Sequence, residues 1–185
     1  MSRPYRIRIK ESVSRVIRAH DHVRTELDLL PVLSPEQMAS LLADELAKHG
    51  FRREGDKAVR KEDGVTVTVD LMDGSVVVET EASQQEERTR EDSRSFVEQP
   101  NEDRIAEARK GVRDRINREI DEKEQKLQRA VTDKLERALA DVRDELNQSV
   151  NRATAGALKV KAAQLGEIKE ITEDESGSMT IVVEV

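Results

Sequence analysis

The stretch INREIDEKEQKLQRAVTDKLERALADVRDEL, Ile116 to Leu146, decides the fold. Its large apolar residues Ile116, Ile120, Leu127, Val131, Leu135, Val142 and Leu146 recur about once per helical turn, and most of what lies between them is charged or polar. That period of roughly 3.6 is the signature of an amphipathic helix and is incompatible with the two-residue period of a strand. A helix of this kind rests on packing of its apolar face more than on its own propensity, so something must cover the stripe. A second copy of the chain, a partner protein's helix, or the chain's own return segment, folded back at Gly111, Asn147 or Gly156, could cover Ile116, Ile120, Leu127, Val131, Leu135, Val142 and Leu146, and the length of the stripe favours the second copy.

Outward from this core the helix extends over 101–165. Asn101 is a suitable N-cap, Glu102 and Asp103 suit the positive end of the dipole, and no proline interrupts the run as far as Gln164. Ile116, Leu127 and Ala138 repeat every 11 residues, as do Ile120, Val131, Val142 and Ala153, which favours a nearly straight helix assembly over a left-handed heptad coil. Asp114–Arg118, Glu119–Lys123, Glu122–Lys126 and Asp133–Arg137 are candidate i,i+4 ion pairs. Unbroken, the helix would span about 95–100 Å at 1.5 Å per residue. Gly111, Asn147-Gln148-Ser149 and Gly156 are its weak points.

The N-terminal part reads as an α+β domain over 1–82. Tyr5 to Lys10 and His22 to Leu29 alternate like strands, with Val13 to Arg18 extending the first and His20-Asp21 as a turn, which predicts a long hairpin. Ser34, Pro35 and Gln37 form an N-cap, a first-turn proline and a capping box. Met38, Leu41, Leu42 and Leu46 supply the stripe of that helix, and Gly50 its left-handed stop. Lys57–Glu62, Val65–Leu71 and Ser75–Glu81 follow as strands separated by Asp63-Gly64 and Asp73-Gly74. The predicted order is ββαβββ. Residues 83–100 lack apolar periodicity and predict an acidic, polar linker. At the other end, 166–185 predicts a β-hairpin with strands 167–172 and 178–185, which is marginal alone and must dock on something.

Composition narrows the chemistry. The chain is 38% charged, against roughly 25% in ordinary globular domains, and has a net charge of −7 and three aromatics: Tyr5, Phe51 and Phe96. The absence of cysteine removes disulfides, thiolate metal sites and cysteine nucleophiles. No apolar run reaches the ~20 residues of a membrane span, and the first residues lack a secretory apolar core, so a cytoplasmic protein is expected. No phosphate loop, nucleophile elbow or H-E-x-x-H motif is present, which argues against an enzyme and implies no cofactor.

Two constellations remain. His20 and His22, with His49 as a third group, could hold a metal and so support a metal-dependent enzyme; the bland reading is that they decorate the turn. Arg6, Arg8, Lys10, Arg15, Arg18 and Arg24 form a basic stretch that could track a nucleic-acid backbone, meet an acidic protein, or merely shield an edge strand. The scarcity of aromatics removes the stacking platforms of single-strand binders and places a solvated face or an acidic protein partner ahead of nucleic acid.

The N-terminal Ser2-Arg3-Pro4-Tyr5-Arg6-Ile7-Arg8-Ile9-Lys10-Glu11-Ser12 carries a resemblance, together with Gly166-Glu167-Ile168-Lys169-Glu170-Ile171-Thr172-Glu173 and Thr180-Ile181-Val182-Val183-Glu184-Val185. These segments resemble small accessory proteins that accompany AAA+ ATPases and von Willebrand A-type proteins in bacterial ternary, or conflict, systems. The resemblance covers both ends and brings no catalytic residues. It implies a structural adaptor mediating protein–protein assembly, accessory to an ATPase machine.

Overall fold

The computed structural model describes residues 5–173 and 179–184. The elements run β1 (Tyr5–Glu26), α1 (Pro35–Lys48), β2 (Arg52–Glu54), β3 (Lys57–Glu62), β4 (Val65–Asp70), β5 (Ser75–Phe96), α2 (Glu102–Leu165), β6 (Glu167–Glu173) and β7 (Met179–Glu184). The α+β class is as expected. β1 to β5 form one antiparallel sheet of order β1-β5-β4-β3-β2, and β6 pairs with β7 separately. The chain divides into two compact units, Met1–Asp21 with Glu81–Asp133, and His22–Thr80 with Lys134–Val185. β1, β5 and α2 each contribute to both.

In the second unit, α1 is built as its sequence dictates. Ser34 Oγ accepts from the Gln37 amide, the Gln37 side chain accepts from the Ser34 amide, and Gly50 ends the helix at φ +83°. Its face Ala39, Leu42, Ala43 and Leu46 packs with Val67, Val69, Val76 and Val78 of the sheet and with Leu135, Val142, Leu146 and Val150 of α2. Each large side chain so buried contributes about 1.5–3 kcal/mol. Arg60 ties this core together: it lies 4.9 Å from the Phe51 ring centroid and donates to the His49 carbonyl at 3.0 Å and to Glu145 at 2.6 Å.

The first unit is simpler. Residues of β1 and β5 form a ribbon covered on one face by α2. Its core is Ile9 and Ile17 from β1 with Ala108, Val112, Ile116 and Ile120 from α2, flanked by Ile7, Val13 and Leu127.

Three expectations need correction. First, β1 is one strand of 22 residues with no turn at His20-Asp21. α2 holds that segment extended: Gln128 donates to the His20 carbonyl at 3.2 Å and Thr132 to the Asp21 carboxylate at 2.6 Å. Second, most of the expected linker is strand, because β5 continues to Phe96. Its helix-facing positions are held by ions in place of apolar contacts, as described below. Third, the helical stripe is not bare. Ile116, Ile120, Val131, Leu135, Val142 and Leu146 are all buried by the chain itself, and Leu127 is half-buried. The 11-residue set Ile120, Val131, Val142 and Ala153 is buried throughout. Eleven residues are close to three whole helical turns, so residues at that spacing fall on one face of the helix.

α2 is continuous through Gly111 and Gly156. Asn101 caps it, accepting from the Arg104 amide at 3.1 Å. The C-terminal hairpin forms with a register irregularity between Ile168 and Glu170. Its expected loop, like Arg3, lies outside the described residues. None of the described side chains of β6 and β7 is buried.

Candidate functional site

Alternation along β1 sorts its residues between two faces. In the first unit, Ile9, Ile17 and Ala19 are buried, and Ile7, Glu11, Val13 and Arg15 are half-buried toward α2. Arg6, Arg8, Lys10, Ser12, Ser14, Val16, Arg18 and His20 are exposed on the opposite, open face.

The six expected cations therefore do not form one patch. Arg6, Arg8, Lys10 and Arg18 share the open face. Arg15 is on the other side, where it meets Asp121 at 2.6 Å and Glu124 at 3.1 Å. Arg24 belongs to the second unit, where its charge adds to hydrogen bonds from Ser75 that hold the Asp73 carboxyl below its ordinary range. Of the four open-face cations, Arg8 alone makes an ion pair among the described residues, at 3.7 Å to an exposed Glu91. A pair that open to water is worth at most about 1 kcal/mol.

The helix-facing side of the ribbon behaves differently. Glu11 accepts from Arg113 at 2.9 Å, Lys123 donates to Glu86 at 2.8 Å, Arg90 pairs with Glu119, and Arg115 lies 3.4 Å from Asp92. Glu86 also meets Arg88 at 3.1 Å. The Lys123 hydrogen bond holds the Glu86 carboxyl below the usual carboxylate range, against the opposing pull of desolvation. Glu119 and Lys123, expected to pair along the helix, reach to β5 instead. Apolar periodicity missed these residues; opposite charges at alternate positions of 86–92 were the available signal.

β1 is also the last strand of its sheet, with β5 as its neighbour. Its outer edge carries no partner strand among the described residues. At 22 residues it is far longer than the 3–10 of ordinary strands, and a long free edge is a template for pairing. The neighbouring open face of β5 is acidic, with Glu81, Glu87 and Glu91 exposed.

The metal reading gains no support. Among the described residues no group of three or more His, Cys, Asp and Glu side chains could hold an ion, and His20 and His22 each already engage in an interaction. His49 caps the end of α1. Among the described residues no helix is long and apolar enough to cross a membrane.

No curated protein and no solved structure matches the chain. A family model does match, over residues 1–185, and on that whole-length match the chain belongs to the family described as FtsH ternary system domain X5.

Proposed function

We propose that the protein is a non-enzymatic adaptor of its ternary system, which docks an acidic surface of a partner protein on the open face of β1. The ATPase of that system is the first candidate partner, since the family description names FtsH. One observation carries the reading. Arg6, Arg8, Lys10 and Arg18 stand exposed on one face, whereas the charges directed at α2 are met by opposite charges. Alternate residues of a strand lie about 6.6 Å apart, within a Debye length of about 8 Å at physiological salt. Arg6, Arg8 and Lys10 therefore act on a partner as one charge cluster, the arrangement that speeds and orients association.

Nucleic acid is the second reading, favoured by the same cations. Against it, a duplex whose major groove alone is about 12 Å wide would also lie over Glu81, Glu87 and Glu91 on β5. Affinity purification from the native host tests the proposal. Wild-type protein is expected to co-purify the system's ATPase, and the variant R6E/R8E/K10E/R18E to lose it. Equal recovery by both would contradict the proposal. Retention of the wild type on a DNA or RNA column at ~50 mM salt, lost in that variant, would favour the second reading.

A further inference from the structure

We infer that the outer edge of β1, from Arg6 to Arg18, accepts an extended segment of a partner protein as an added strand, and that this segment alternates acidic and apolar residues. The inference rests on the docking reading above and specifies its geometry.

Two independent observations meet at this edge. The first is the backbone. β1 ends the strand order, so its inner row of amides and carbonyls faces β5, and its outer row is free of any partner strand among the described residues. An added strand satisfies such a row with main-chain hydrogen bonds, and pockets for its alternate side chains give specificity.

The second observation is the charge. Arg6, Arg8 and Lys10 sit at successive open-face positions with the period of a strand. A strand added about 4.8 Å away presents its own alternate residues on that same face, so carboxylates there lie beside the three cations. Its remaining residues fall on the α2 side, next to Ile7 and Val13, which are only half-buried at the margin of the first unit's core, and to Glu11 and Arg15, whose charges Arg113 and Asp121 already meet. Apolar residues belong beside Ile7 and Val13.

The same charges decide what cannot dock. Pairing of β1 with β1 of a second copy, whether parallel in register or antiparallel about Arg8, would set Arg6, Arg8 and Lys10 against like charges, which is destabilising for directly opposed residues. Cations on an edge ordinarily keep other strands away. Here they select: a neutral or basic edge is rejected and an acidic one admitted.

The test uses the full-length chain and a synthetic peptide of about eight residues, a common strand length, with glutamate and valine alternating. Two controls share its composition: a block peptide with all glutamates first, and the alternating peptide N-methylated at alternate amides. Calorimetry and amide hydrogen exchange over residues 5–18 are the readouts. The alternating peptide is expected to bind at least about tenfold tighter than either control, to slow exchange along β1, and to lose at least about tenfold in affinity to R8E/K10E. If both controls bind equally well and exchange is unchanged, while R8E/K10E still weakens binding, strand addition is wrong and side-chain docking survives. If R8E/K10E has no effect, both readings fall. Tighter binding of a single-stranded oligonucleotide than of the alternating peptide also overturns the inference.

Discussion

Lys123 donates a 2.8 Å hydrogen bond to Glu86, a carboxylate whose side chain is only 5% exposed. The two residues are 37 apart in sequence, and their meeting joins a charged strand to a charged helix. Ion pairs of this kind, with Glu11–Arg113 and Arg15–Asp121, flank a core of six buried apolar side chains in the first unit. Charge matching is thus part of what joins strand to helix in this unit.

That matching has a pH signature. The folded Glu86 carboxyl is held below its ordinary range, chiefly by the Lys123 hydrogen bond. Its contribution is therefore full above the unfolded glutamate value of about 4.3 and is lost as pH falls through the lowered folded value. Lys123→Met should lower the melting temperature near neutral pH, and the deficit should shrink in acid. Melting curves across pH check this. A deficit of constant size would assign the effect to packing of the lysine stem.

Residues 83–96 should behave as strand. Hydrogen exchange followed by mass spectrometry should show about half of their amides protected, those directed at β1, since β4 pairs with β5 only over Val76–Thr80. Exchange at the rate of an unstructured peptide would restore the linker reading.

What the sequence disclosed and what it withheld follow from one distinction. α1 was readable because its cap, stripe and stop are local: Ser34, Pro35, Gln37 and Gly50 lie within a few residues of what they control. Asn101 and the strands from Lys57 to Asp70 were readable for the same reason. β5 beyond Ala82 was not, because Glu86, Arg90 and Asp92 are held by Lys123, Glu119 and Arg115, far along the chain. The His20-Asp21 turn failed likewise: polar residues that favour a turn in isolation are held extended by Gln128 and Thr132. The cations of β1 were found from composition, but only the strand's alternation separates Arg15 from Arg6, Arg8, Lys10 and Arg18.

The covered helical stripe separates stability from assembly. Ile120 is fully buried among residues of its own chain, so Ile120→Ala should cost about 2–5 kcal/mol. Its molecular mass by light scattering should equal that of the wild type. A fall in mass would mean that a second copy, as the sequence alone suggested, packs on the stripe.

Two glycines should respond in opposite directions. Gly74 has φ +75°, and a Cβ there would lie 3.0 Å from the Leu27 carbonyl oxygen and 3.1 Å from a Leu29 methyl. Gly74→Ala should destabilise by at least about 1–2 kcal/mol. Gly111 lies inside α2, where a Cβ would meet nothing nearer than an Arg94 nitrogen at 4.0 Å, so Gly111→Ala should stabilise by about 0.5–1 kcal/mol. Urea unfolding of the two variants measures both signs.

The adaptor account is tested most directly by placing a photo-cross-linking amino acid at single positions and irradiating cells of the native host. Lys10 lies on the open face of β1, and Lys57 begins β3 in the other unit. The account predicts that position 10 captures the ATPase of the ternary system, that position 57 does not, and that R6E/R8E abolishes the capture. Equal capture at both positions, or capture at position 10 that survives R6E/R8E, would contradict it.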